Sequence, residues 1–348
     1  MPAARSIAIV TTAAVLLAGA GAALVHTAAG SSEATAAVSY SKLKVTGYVE
    51  AYATSPATLA KRSAKLTSVG IDGINFTPDG SALTAVTDEA YALLRQVHKT
   101  KDRAELLVGN FDDELAEFSP AMAANLLSSE YNIQSTTTAL AAEVASGGWD
   151  GVQVDLESLE SIVNDDPGYT DDVTRFMQVL RSKLDPEKTL SMAIMATTGD
   201  YRGLGYDPAA LAKSTDSIVL MAYDQHGPWE KPAGAVGGMP WVKKVLAKLL
   251  KSVDRSEVQL GIAGYGYSWP KKSEGKQYSA AAARALVKKD GAKVHWSGTQ
   301  KERYATLHNG TKLWWSDAKA VDARVKLAKK LKLGGVAVWS IGLADTLN

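Results

Sequence analysis

The chain has 348 residues, 46% of them hydrophobic, enough for one large core or two ordinary domains. Its 38 lysines and arginines against 37 aspartates and glutamates leave a formal net charge of +1, which gives no sign of a dedicated nucleic-acid binder. Cysteine is absent, which excludes disulfides, thiolate metal sites, a cysteine nucleophile and a lipid-modified N-terminal cysteine.

The N-terminus carries Arg5 and then an uncharged, alanine-rich apolar run from Ile7 to Val25. Thr27-Ala28-Ala29 supplies the small residues of a cleavage site, so residues 1–29 are expected to be a signal peptide and the protein to be secreted, to the extracellular space or the cell wall. The same run is long enough to remain as an uncleaved membrane anchor, the only membrane attachment the sequence suggests. Residues 30–43, poor in large apolar side chains, read as a linker.

From Lys44 onward strand-like and helix-like segments take turns. Strands are expected at 44–51, 70–76, 104–111, 150–157, 189–196, 216–223, 258–265 and 334–340, with helices at 55–68, 87–99, 120–146, 170–184, 208–214, 239–253 and 316–331. Eight such alternations predict an α/β fold of the (β/α)8 barrel type spanning 44–348. No glycine-rich phosphate fingerprint follows the first strand, which argues against a nucleotide-binding sheet. The stretch of about 266–315, between strands seven and eight, is longer than one helix needs. It predicts a small α+β insertion with a helix at 279–289 and short strands at 295–296, 303–307 and 312–315.

Chemistry in such barrels sits at the C-terminal ends of the strands. In the fourth strand Val152, Val154 and Leu156 alternate with Gln153, Asp155 and Glu157, so the three polar side chains share one face. Two carboxylates at i and i+2 are costly unless one holds a proton or they serve a ligand. The other strand ends add Tyr48 and Glu50, Asn110, Met221-Ala222-Tyr223-Asp224, Tyr265 and Tyr267, and Trp339. Acids and aromatic rings on one rim suit a sugar, whose apolar faces stack on rings while its hydroxyls bond to carboxylates and amides.

These motifs resemble those of the family 18 glycoside hydrolases, the chitinase-like group. The family's Asp-x-x-Asp-x-Asp-x-Glu signature stands here as Asp150-Gly151-Val152-Gln153-Val154-Asp155-Leu156-Glu157, its Met-x-Tyr-Asp motif as Met221-Ala222-Tyr223-Asp224, and its late tryptophan strand as Gly334 to Trp339. Asn110-Phe111, Tyr265-Gly266-Tyr267-Ser268-Trp269 and Trp314-Trp315-Ser316-Asp317 look most like the branch of bacterial spore-cortex and cell-wall N-acetylglucosaminidases. Gln153 replaces the middle aspartate of the chitinases, and an amide there can hydrogen-bond Asp155 but cannot take its proton.

The resemblance implies a retaining, substrate-assisted hydrolysis of β-1,4-linked N-acetylglucosamine bonds, most like that of peptidoglycan. It implies Glu157 as general acid and then base, Asp155 and Tyr223 as the groups that hold the substrate's acetamido nucleophile, and Trp339 as the stacking floor. Asp224, Gln153, Asn110, Met221, Tyr265 and Tyr48 are the further expected substrate contacts. The rival readings are a chitinase or chitin-oligosaccharide hydrolase and a catalytically silent glycan-binding protein on the same fold. The expected partner is a glycan, with no nucleic acid; oligomeric state is not read from the sequence. No cofactor or metal is expected, since His26, His98, His226, His295 and His308 lack metal-ligand spacing. Asp112, Asp113 and Glu114 read as a solvated loop, and the lysines of 319–332 as the wet face of the last barrel helix, with a weak attraction to anionic wall polymers.

Overall fold

The computed structural model describes residues 43–347, so the signal, anchor and linker readings of residues 1–42 lie outside the described residues. Eight parallel strands close into a barrel: Lys44–Glu50, Ser68–Asn75, Arg103–Gly109, Gly151–Asp155, Thr189–Met195, Ser217–Met221, Val258–Ala263 and Gly335–Trp339. The closure pairs the first strand with the eighth, Lys44 opposite Gly335 and Gly47 opposite Val338. Each strand is covered on both faces, which explains runs such as Ser217–Met221 that are buried throughout. Outward residues such as Val152, Val154 and Leu190 join a core shared with the surrounding helices.

The barrel interior is layered with paired polar groups. At the N-terminal end Glu105 accepts from Lys44 and Thr189 at 3.1 Å each. Next, Gln259 accepts from Thr46 at 2.9 Å and donates to Ser217 at 2.8 Å. Beneath the C-terminal mouth, Gln153 Oε1 accepts from Tyr48 at 2.6 Å and Ser191 at 3.2 Å. Buried polar groups satisfied in this way rigidify the platform on which the mouth is built.

Three departures from the sequence expectations have local causes. The helix expected at 120–146 is two, Pro120–Leu127 and Glu130–Ser146, because Ser129 adopts extended backbone and its hydroxyl caps Asn132 N–H. A short helix, Glu160–Asp165, follows the fourth strand unpredicted. The seventh strand stops at Ala263 rather than 265. Gly264 N–H bonds Trp339 O at 2.7 Å there, and a Cβ on Gly264 would lie 2.6 Å from Ala344 Cβ.

Beyond that break Tyr265–Trp269 is the second strand of a separate five-stranded antiparallel sheet. Its order is Gln277–Ser279, Tyr265–Trp269, Lys312–Trp315, Glu302–Thr306 and His295–Ser297. The helix Ala280–Asp290 covers it and forms a small core with Ala283, Val287, Leu313 and Trp315. Among the described residues no helix is long and apolar enough to cross a membrane.

Candidate active site

The C-terminal mouth of the barrel holds a cleft of about 890 Å³. Asp155 ends the fourth strand, and Glu157 follows two residues later, just before Ser158 turns through φ +59°. Both carboxylates line the cleft and are 8% exposed. The backbone that carries Glu157 is held from two sides. Asn110 accepts its N–H at 2.9 Å and donates to its carbonyl at 3.0 Å, while Tyr206 O–H donates to the Leu156 carbonyl at 2.6 Å.

The electrostatics follow from that burial. Desolvation pushes Asp155 up to about 7, and its Oδ1 has no hydrogen-bond partner. Glu157 is raised well above the usual carboxylate range, first by burial and then by the charges of Asp155, Asp224 and Glu160. A carboxyl that keeps its proton near neutrality is suited to protonating a leaving group.

Tyr223 and Asp224 come from the end of the sixth strand. Gly261 on the neighbouring strand leaves room for the Tyr223 ring, since a Cβ there would lie 3.0 Å from Tyr223 Cε1. Asp224 sits at φ +55°, a left-handed conformation that aspartate tolerates better than most residues. Its Oδ1 accepts from Tyr265 at 2.7 Å and Tyr267 at 2.9 Å, yet burial still lifts it to about 6. Trp339 lines the cleft, with the Tyr48 ring tilted against it at 5.6 Å, and Met221 lines it as well.

Asp155, Glu157, Tyr223, Asp224, Met221 and Trp339 are therefore brought together. Four other expected substrate contacts, Tyr48, Gln153, Asn110 and Tyr265, are not among the residues that line the cleft and stand behind it. Tyr48 and Gln153 are 2% and 3% exposed and bonded to each other beneath it. Asn110 is fully buried with both amide atoms spent on the backbone of Glu157 and Ser119. Tyr265, 1% exposed, stands behind the cleft, bonded to Asp224 and edge-on to the Tyr223 ring. Asp150, the first acid of the signature, stands at the opposite end of the strand. There Ala104 N–H and His98 outweigh burial and hold it below its ordinary value.

Sequence reasoning missed Asp72, Trp229 and Trp241 in the lining and placed Asp113 in a solvated loop; it is exposed and lines the cleft too. Strand two slips register between Asp72 and Ile74, a bulge next to Gly73 that brings Asp72 to the cleft. Burial, then Glu50, Asp155 and Asp113, lift Asp72 to about 7. An acid beside a glycine inside an apolar strand is the signal that could have found it. In all, Glu50, Asp72, Glu89, Asp113, Asp155, Glu157 and Asp224 line the cleft, with no lysine, arginine or histidine. Among the described residues no group of three or more histidines and carboxylates is arranged to hold a metal ion.

A closed parallel barrel whose mouth gathers two buried carboxylates, a tyrosine and a tryptophan is the framework of a glycoside hydrolase. The chain matches the family described as "Glycosyl hydrolases family 18" over residues 44–344 and belongs to that family. It is 25% identical to the "Uncharacterized glycosylase YvbX" of Bacillus subtilis over 306 residues, 85% of this chain and 86% of that one. Among solved structures it is similar to the spore cortex-lytic enzyme SleL of Bacillus cereus. The TM-score is 0.75 at 20% identity, covering 86% of this chain and 71% of that chain. It is also similar to a chitinase from Chromobacterium violaceum, at TM-score 0.76 and 24% identity, over 87% and 95% of the two chains.

Proposed function

We propose that this glycoside hydrolase is exported and cuts β-1,4-linked N-acetylglucosamine bonds in peptidoglycan with retention, using the substrate's 2-acetamido group as nucleophile. The observation that carries the reading is Asp155 Oδ1, buried at the cleft and without a partner. An unpaired buried acceptor is costly, and an acetamido N–H would relieve it. In the first step Glu157 gives its proton to the glycosidic oxygen as the bond to the anomeric carbon breaks. The acetamido carbonyl oxygen closes onto that carbon as an oxazolinium ion. Asp155 accepts the acetamido N–H and offsets the positive charge, and Tyr223 O–H holds the carbonyl oxygen in line. Glu157 then takes a proton from water, which opens the ring from the face the leaving group left. Positioning and acid–base help of this kind contribute roughly 10²–10⁴-fold from the acid–base part alone.

The likeness to a cortex-lytic enzyme and the Asn110-Phe111 and Tyr265 to Trp269 motifs support a wall glycan. One observation favours a second reading: a cleft with seven carboxylates and no cation suits an uncharged glycan such as chitin better than one bearing anionic peptides. Digesting peptidoglycan and chitin in parallel with the full chain tests both, with borohydride reduction and mass spectrometry to identify new reducing ends and Glu157→Gln as control. Reduced N-acetylglucosamine ends from peptidoglycan alone are expected. Fragments from chitin alone would transfer the protein to the second reading. No ends from either, with ligand affinity kept in the Glu157→Gln protein, would leave a glycan-binding protein.

A further inference from the structure

The net charge of +1 conceals a segregation of charge along the chain. Residues 43–238, which supply strands one to six and all seven cleft acids, carry 15 lysines and arginines against 28 aspartates and glutamates. Residues 239–347 reverse this, with 21 against 8. The basic part includes the helices that follow barrel strands six and seven in the chain, Met239–Leu249 and Ala318–Leu331. Arg324 of the second reaches the carbonyl of Gly237, just ahead of the first. At the other ends Arg255 Nη1 donates to Leu331 O at 3.4 Å and Gly334 N–H to Arg255 O at 2.9 Å.

Lys244, Lys248 and Lys251 recur on one side of the first helix and its exit turn, and Lys326, Lys329 and Lys330 on the second. Four of these are exposed and two half-buried, and none is in an ion pair among the described residues. Cations in a last helical turn favour the helix dipole, but one or two per helix would serve that purpose. In a (β/α)8 barrel the helices run back from the mouth, so these lysines, near the C-terminal ends, lie away from the cleft.

We infer that the lysine-bearing outer faces of helices 239–249 and 318–331 form a docking surface for a polyanion, namely a phosphodiester-linked polyol polymer of the matrix in which the glycan substrate is embedded. Charge complementarity selects a polyanion. Lysines four residues apart stand about 6 Å apart along a helix, a spacing that an extended phosphodiester chain of short polyols follows. No exposed large hydrophobic residue lies on either helix, so the face lacks the apolar wedge of a membrane-binding helix and the rings on which single-stranded bases stack. The acidic cleft repels the same polymer, so the chain's two charge poles would hold the enzyme by its back and leave the mouth free for the glycan. The choice of polymer rests on the wall-glycan reading; the basic surface does not.

The test is binding of the full chain to poly(glycerol phosphate) across a salt series, with double-stranded DNA, phosphatidylserine vesicles and neutral dextran as parallel probes. The protein with Lys244, Lys248, Lys251, Lys326, Lys329 and Lys330 all changed to Gln is compared with one carrying only the first three changes. The full chain is expected to lose about 10³-fold in affinity between 50 and 200 mM salt, as six released counterions require. The three-lysine variant should show about half that salt slope and the six-lysine variant almost none. Hydrolysis of a short soluble N-acetylglucosamine oligomer and the melting temperature report folding of the variants. If the chain proves inactive on every glycan, the binding series still reads the surface. Unchanged binding in the six-lysine variant, no binding at 50 mM salt, or tighter binding to DNA or vesicles would overturn the inference.

Discussion

Replacing Asp155 with Asn should stabilise the protein while abolishing its turnover, and the gain should depend on pH. Burial lifts Asp155 from the ordinary 3.8 to about 7. A rise of that size withholds roughly 4 kcal/mol of folding free energy once the group is ionised. Because the folded-state value lies above the unfolded one, the folded protein holds the extra proton between about pH 4 and pH 7. Stability therefore falls as pH rises through that window, and below it both states are protonated and nothing is lost. Asn and a protonated Asp leave similar neutral atoms beside the unpartnered Oδ1 position, so the two proteins should melt together at pH 4. At pH 8 the variant should melt roughly 6 °C higher, taking about 2.1 cal/mol/K of unfolding entropy per residue for roughly 300 residues. Calorimetry at both pH values, with turnover measured on the same samples, is the assay. A melting difference that is the same at pH 4 and pH 8, or a variant less stable at pH 8, would refute the reasoning.

Asn110→Ala strips the Glu157 backbone of its acceptor and donor, and should cost about 1–3 kcal/mol in urea unfolding and lower kcat more than it raises KM. Glu302→Ala leaves Arg324, 1% exposed, and the N–H groups of Val236 and Gly237 without their anion, and a loss of about 3–5 kcal/mol is expected by denaturant titration. Gln153→Asp puts a second ionisable group beneath Asp155. The like charge should move the acid limb of the pH–rate profile up by about one pH unit, and a superimposable profile would show that the two positions do not interact.

The barrel was legible because alternation of strand and helix is a local pattern, and the catalytic strand because a period of two places Asp155 and Glu157 on one face. Depth along the barrel axis was not legible. Tyr48, Gln153, Asn110 and Tyr265 stand on the expected strands, but whether a polar tip meets substrate or a neighbouring strand is decided by partners 9 to 105 positions away. The boundary of the seventh strand was missed for a related reason. Tyr265 to Trp269 continues the strand pattern, and only pairing with Lys312–Trp315 assigns it to the second sheet. The split at Ser129 and the bulge at Asp72 left signals, a serine cap and an acid–glycine pair inside apolar runs, that were outweighed by the longer periodicity around them. The polarity of charge was hidden by averaging over the whole chain.

The five-stranded sheet between the seventh and eighth barrel strands has its own small core, which invites treating it as a removable cassette. Its attachments argue otherwise. Glu302 holds Val236 and Gly237 N–H at 2.8 and 2.9 Å, in the same segment that runs from Asp224 through Trp229 at the cleft. Arg284 grips Asp345 beyond the last strand through two bonds of 2.7 and 2.6 Å. An engineer who excised residues 265–315 or exchanged them for a relative's sheet would strand a guanidinium and two amides inside the remaining barrel and loosen a wall of the cleft. Grafting in this scaffold has to carry Glu302, Arg324 and the loop they share as one unit.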